Sequence, residues 1–159
     1  MTTTITQLSQ HFSLAELTRS SVAQARGLSN APPPELVPRL ILTAEMLERI
    51  RATLGVPFTV TSGYRSPQVN IAVGGATSSD HTQGHAADIV APAFGTPYDI
   101  ARALAPLVST LGIGQLILEG IKGKRWVHVS THTPERAVNR IITITDSGVR
   151  VGIHPVEGA

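Results

Sequence analysis

The stretch "SSDHTQGHAADIV", residues 78–90, decides how the rest of the chain is read. It passes from a loop of small and polar residues into an apolar run, "AADIVAP", whose length and composition predict a buried strand. Asp88 lies inside that run. A carboxylate in an apolar strand is costly unless it is paired or bound to a metal. His81 and His85 stand just upstream, and a second strand candidate, "WVHVS" (126–130), carries another imidazole, His128. Alternation puts Trp126, His128 and Ser130 on one face of that strand and Val127 and Val129 on the other. The valine face goes to the core, and the Trp–His–Ser face lines a groove. Two imidazoles and one carboxylate suit a catalytic zinc with one open position.

Outward from these strands, capping signals set the frame. "SLAE" (Ser13–Glu16) and "TPYD" (Thr96–Asp99) read as capping boxes that open helices, the second running to about Ala105 before Pro106 bends or ends it. Pro34 suits a first helical turn. Apolar residues then recur at Leu36, Leu40, Ala44, Leu47, Ile50 and Leu54, a helical stripe that Gly55 closes. "PFTVTSGYRS" is a short strand running into a glycine-containing turn. "GQLILE", "RWVHVST" and "RIITITD" are further strands, and "DSG" (146–148) turns into a last one, "VRVGI". Helices come first and strands later, without βαβ alternation. The expected class is α+β, a mainly antiparallel sheet with flanking helices, as one domain over residues 1–159.

Composition narrows the functions. At 159 residues, 42% apolar and 15% charged, with 14 Gly and 11 Pro, the chain predicts a compact, loop-rich domain able to bury a core. It has no Cys, so a metal must be held by His and carboxylate. No apolar run is long enough to cross a membrane, and "MTTTITQLSQ" lacks the basic and apolar parts of a signal peptide. Basic residues exceed acidic ones by 13 − 11 = 2. The excess is concentrated at Lys122, Lys124, Arg125, Arg136 and Arg140, which fits an anionic partner. Aromatics are only 4%, too few for base-stacking platforms, so no nucleic-acid partner is expected.

"SGYRSPQVN" (62–70), "GGATSSDHTQGHAADI" (74–89) and "WVHVS" (126–130), in that order, closely resemble the M15 family of zinc peptidases. The family includes D-Ala-D-Ala carboxypeptidases and phage L-alanyl-D-glutamate endopeptidases. Its pattern S-x-H-x-x-G-x-A-x-D-I is matched by Ser79, His81, Gly84, Ala86, Asp88 and Ile89. The opening "HFSLAELTRSSVAQARGLSNAPP" (11–33) looks like the N-terminal region of the small phage-type members. The resemblance implies a hedgehog/DD-peptidase-like fold, zinc bound by His81, Asp88 and His128, and Arg65 as a substrate and transition-state contact. It also implies a peptidase acting on the peptide stem of peptidoglycan, whose carboxylates suit the local basic excess. Ser79, Trp126 and His132 join Arg65 as expected substrate contacts. His132 shares the face of His128 only if the strand stays regular through Thr131. His85 falls at a variable position of the pattern and reads as a loop residue near the site.

The general base departs from several relatives, which carry an acid three positions before the last His. Here that residue is Arg125, which accepts no proton. Glu119 is the only acid between Asp99 and Glu135. Antiparallel pairing through "GIKGK" would set it beside the strand of His128, so Glu119 is the expected base. The expected setting is phage-type: made in the cytoplasm without a signal peptide, then acting at the cell wall after holin release or as part of a particle. Two rivals stand against this. Two His and a carboxylate also describe the iron oxygenase triad, although those enzymes use more strands than this chain offers. A non-catalytic zinc-containing peptidoglycan-binding module of a phage particle is the other.

Overall fold

The structure, a computed structural model, describes residues 5–156. Its centre is one six-stranded sheet of β1 (Thr59–Ser62), β2 (Ala86–Val90), β3 (Gln115–Ile121), β4 (Lys124–Ser130), β5 (Ile141–Thr145) and β6 (Gly148–Val151), in the order β1-β2-β4-β3-β5-β6. Four of the five pairings are antiparallel, and β3 with β5 is parallel. The class is α+β, as the order of elements in the sequence leads one to expect.

Alternation along the central strands divides the sheet faces. Leu116, Leu118, Val127 and Val129 are fully buried on the core side. There α5 (Pro97–Leu104) packs on β3 and β4, and α3 (Val37–Leu54) packs on α5. The predicted stripe is real: Leu40, Ala44, Leu47 and Ile50 are fully buried, as is Met46 beside them. At about 25 cal/mol per Å² of apolar surface, such side chains each contribute roughly 1.5–3 kcal/mol. Gly55 closes α3 in the left-handed conformation, with its N–H on the Arg51 carbonyl. Both capping boxes form, at Ser13 with Glu16 and at Thr96 with Asp99.

Two features differ from the sequence expectations. The segment after "SGYRS" is not merely a turn, because Ser66 accepts from Val69 N–H and Pro67 opens helix α4 (Pro67–Ala72). Another short helix, α2 (Ser21–Arg26), is capped by Ser20. The helix opened at Thr96 does end where expected, at Leu104 just before Pro106. After Leu104 the chain tightens to a 3₁₀ turn, Ala105–Leu107, and goes on as α6 (Val108–Leu111), because proline is tolerated in a first turn where no N–H is needed.

The N-terminal segment braces the site from behind. Helix α1 (Leu14–Thr18) lies against β1, where Tyr64 N–H donates to the Leu17 carbonyl at 2.7 Å. Asn30 donates to the carbonyls of Thr18 and Tyr64 and accepts from Ser66 N–H at 2.7 Å. One amide thereby fixes the turn that carries Arg65. Among the described residues no helix is long and apolar enough to cross a membrane.

Candidate metal centre

On the face of the sheet away from α5, β2 and β4 pair with Asp88 directly opposite His128. A 3₁₀ turn, Asp80–Gln83, delivers His81 to the same place. Ser79 caps this turn, accepting from His81 N–H at 3.2 Å, and Gly84 ends it with a positive φ. His81, Asp88 and His128 are all buried, with donor atoms within 4.8 Å of one another. Asp88 Oδ1 lies 3.3 Å from His81 Nε2 and 3.2 Å from His128 Nδ1. A tetrahedral site with arms of about 2.0–2.1 Å has edges of roughly 3.3–3.4 Å, so these separations already match those of ligands around one ion.

The orientation of the donors supports the same use. His81 Nδ1 is 2.7 Å from the Gly63 carbonyl and donates its proton there, which leaves Nε2, turned toward Asp88, as the nitrogen a cation would take in place of a proton. The two imidazoles meet edge to face, 5.1 Å between centroids. Burial alone pushes the Asp88 carboxyl up. The His81 charge and hydrogen bonds from His128 and His81 outweigh it and hold Asp88 well below the usual carboxylate range. An ionised carboxylate with two imidazoles at this spacing fits a divalent cation of borderline softness.

A cleft of about 520 Å³ opens over these donors, and every predicted site residue lines it: Arg65, Ser79, His81, Asp88, Glu119, Trp126, His128 and His132. Glu119 pairs with Trp126 across the β3–β4 hairpin, one alternation from Ile117 opposite His128. It therefore sits on the donor face, as the hairpin reading anticipated. Burial raises the Glu119 carboxyl, and the Asp88 charge raises it further; His128, the Trp126 indole and His81 pull it back. Arg65 is half-buried, and its Nη2 donates weakly to Ser79 Oγ at 3.4 Å. Burial lowers the guanidinium, while the Asp88 and Glu119 charges raise it. Arg65 Nε is buried without a hydrogen-bond partner in this structure, whereas the Trp126 indole N–H is directed to Glu119, its cross-strand neighbour. An unpartnered buried donor in the cleft calls for an acceptor from outside the chain.

Some expectations change. β4 ends at Ser130, so His132 does not reach the cleft by strand alternation; it stands on the following bend, more than half exposed. His85 is a loop residue near the site, as read; it lies outside the cleft lining and stacks on His132. The basic excess after Glu119 does not face the donors. Lys124 and Arg125 line a separate cleft of about 760 Å³, with Arg150 and the acidic Asp146, and Arg140 donates to the Ile113 carbonyl. Among the described residues Arg65 is the one Lys or Arg lining the donor cleft. Asp80 is the site residue that sequence reasoning passed over. Its signal was present, since it is the second Asp of the opening stretch and immediately precedes His81.

A family model described as Peptidase M15 matches residues 10–130, which takes in all three donors and the three strands that line the cleft, β2, β3 and β4. The chain is also 36% identical over 114 residues to the zinc D-Ala-D-Ala carboxypeptidase of Streptomyces albus G. That match covers 71% of this chain and 42% of the relative, so the chain spans less than half of that protein's length.

Proposed function

The chain belongs to the peptidase M15 family, and on that footing we propose that it is a zinc-dependent peptidase that hydrolyses peptide bonds in the peptide stem of bacterial peptidoglycan. The observation that carries the proposal is the buried His81–Asp88–His128 trio under a cleft that holds the unpartnered Arg65 Nε. The relative named as a zinc D-Ala-D-Ala carboxypeptidase supports both the metal and the substrate class. The phage-type setting within the proposal rests on the likeness of residues 11–33 to small phage members.

His81, Asp88 and His128 would hold the zinc, which when bound supplies a Lewis acid and acidifies a coordinated water. The residues around it divide the remaining work. Glu119, raised by burial and by Asp88, is suited to take a proton from the attacking water and return it to the leaving amine. Arg65 offers its unpartnered Nε to the scissile carbonyl oxygen, where negative charge grows, or to a substrate carboxylate. Trp126 steadies Glu119 through its indole N–H and offers its ring as an apolar wall of the cleft. Ser79 steadies the Arg65 fork, and His132 closes the rim.

Purified muropeptides incubated with the zinc-loaded protein, with products identified by mass spectrometry, test the proposal. Cleavage within the stem is expected, and Glu119→Gln should keep zinc while losing about 10²–10⁴-fold in kcat, the usual contribution of a proton shuttle. Near-full activity in that variant would move the base elsewhere. Tight zinc and muropeptide binding without cleavage by the wild type would make the protein a binding module instead.

A further inference from the structure

Asp80 stands one residue before the ligand His81, and both of its oxygens are occupied by β4 and the bend after it. Oδ2 accepts from Ser130 Oγ at 2.8 Å, and Oδ1 lies 3.0 Å from His132 Nδ1. Ser130 Oγ in turn accepts from His132 N–H at 3.1 Å. The His132 ring stacks on His85, 5.2 Å between centroids and 20° from parallel. His85 is itself tied to the strand exit, with Nδ1 3.2 Å from Thr131 Oγ1 and its carbonyl accepting from Thr131 N–H. Behind the bend, Gly114 approaches so closely that a Cβ there would meet the His132 carbonyl carbon at 2.5 Å.

An imidazole whose side chain is 57% exposed is thus held by a carboxylate, a stacked ring and a backbone approach that only glycine permits. An exposed ion pair on its own is worth little and needs none of this apparatus. An ionised carboxylate only accepts, so the proton on Nδ1 is directed to Asp80, and in the neutral ring Nε2 becomes the acceptor. His132 lines the donor cleft at its open edge, away from the buried acid already assigned to proton transfer.

We propose that Asp80 is a positioning residue that presents His132 Nε2 as an acceptor for a backbone N–H of the bound peptide, contributing to substrate affinity and not to bond breaking. The inference rests on the peptidase reading for the identity of its ligand, but the state of the ring does not. If it holds, His132→Ala and Asp80→Ala should each raise KM by roughly 2–12-fold, the worth of one neutral hydrogen bond, with kcat within about twofold. Zinc content should stay at the wild-type level. The double variant should be no worse than His132→Ala, because Asp80 acts through the ring. His132→Gln and Asp80→Asn should recover most of the affinity, since each keeps an amide oxygen able to accept.

The zinc-loaded protein also gives a readout without turnover. The ¹⁵N spectrum of the His132 ring should show the Nδ1–H tautomer in the wild type and a mixture in Asp80→Ala. A loss expressed in kcat, additive effects in the double variant, loss of zinc in both Asp80 variants, or an Nε2–H tautomer in the wild type would each overturn the proposal. A wild type that cleaves no muropeptide would sink the peptidase reading and leave the tautomer to decide this one.

Discussion

Gly63→Ala probes how the peptide backbone aims the metal site. Gly63 has no left-handed backbone, so alanine is locally allowed, and the usual consequence would be stabilisation by about 0.4–1 kcal/mol through a stiffer unfolded chain. The surroundings reverse that sign. A Cβ at Gly63 would collide with the Leu17 carbonyl oxygen and come within 2.9 Å of both the Leu17 carbonyl carbon and Cα. These are backbone atoms of α1, and Leu17 O also accepts from Tyr64 N–H, so neither side can step aside by changing a rotamer. Overpacking of this kind costs about 1–3 kcal/mol, which for a domain near 150 residues lowers Tm by roughly 2–12 °C. The displacement also moves the Gly63 carbonyl, which fixes the His81 tautomer from 2.7 Å. Loss of such a supporting hydrogen bond typically weakens metal binding 10–100-fold. Thermal melts of the metal-free protein and a chelator competition for zinc would measure the two effects separately. A variant that melts at or above the wild type and binds zinc equally well would refute the reasoning.

Two further outcomes follow from the same geometry. Arg65→Ala should retain fold and zinc, since its guanidinium is not among the metal donors, and lose about 10²–10³-fold in kcat, with Arg65→Lys a poor substitute for the forked donor; zinc analysis alongside single-turnover kinetics checks both halves. Glu48 accepts at 2.6 Å from Ser9 Oγ and His11 N–H, and its other oxygen lies 2.6 Å from His11 Nδ1. Burial pushes that carboxyl up, but these donors and the His11 charge bring it below its ordinary 4.5. A depressed carboxyl contributes stability that is complete above its unfolded value and is lost as pH falls through the folded one. The Tm gap between wild type and Glu48→Gln should therefore be widest above about pH 5 and close as the solution is acidified; a gap that widens toward acid would contradict the assignment.

The parts of the site legible in the sequence were those whose evidence is local. Asp88 announced itself as a carboxylate in an apolar strand, His128 by alternation, and Glu119 through a hairpin short enough for its register to be guessed. Asp80 was not legible, because its meaning depends on Ser130 and His132, some fifty residues away, meeting it across β2. Asn30, just ahead of three consecutive prolines, carries no local signal, and only the folded chain shows it bracing Thr18, Tyr64 and Ser66. The sheet was legible as mainly antiparallel from its turns. The parallel join of β3 to β5 has no turn to announce it, because residues 131–140 carry the chain across without a regular element beyond the 3₁₀ turn Ala137–Asn139. Helix α4 was readable from Ser-Pro but was obscured by the glycine turn before it.

The place of β4 in the sheet also gives the site a history. Its pairing with β3 is made through the tight turn at Lys122 and Gly123, both in the left-handed region, so Glu119, Trp126 and His128 come together by local collapse. Its pairing with β2 joins residues 40 apart and must first close that loop, an entropic cost that makes such contacts slow. Asp88 and His81 are therefore expected to reach the site after Glu119 and His128 are already in place. An ion held by all three donors can be bound only once that late docking is complete, so its grip bears on how slowly the native chain comes apart rather than on how quickly it forms.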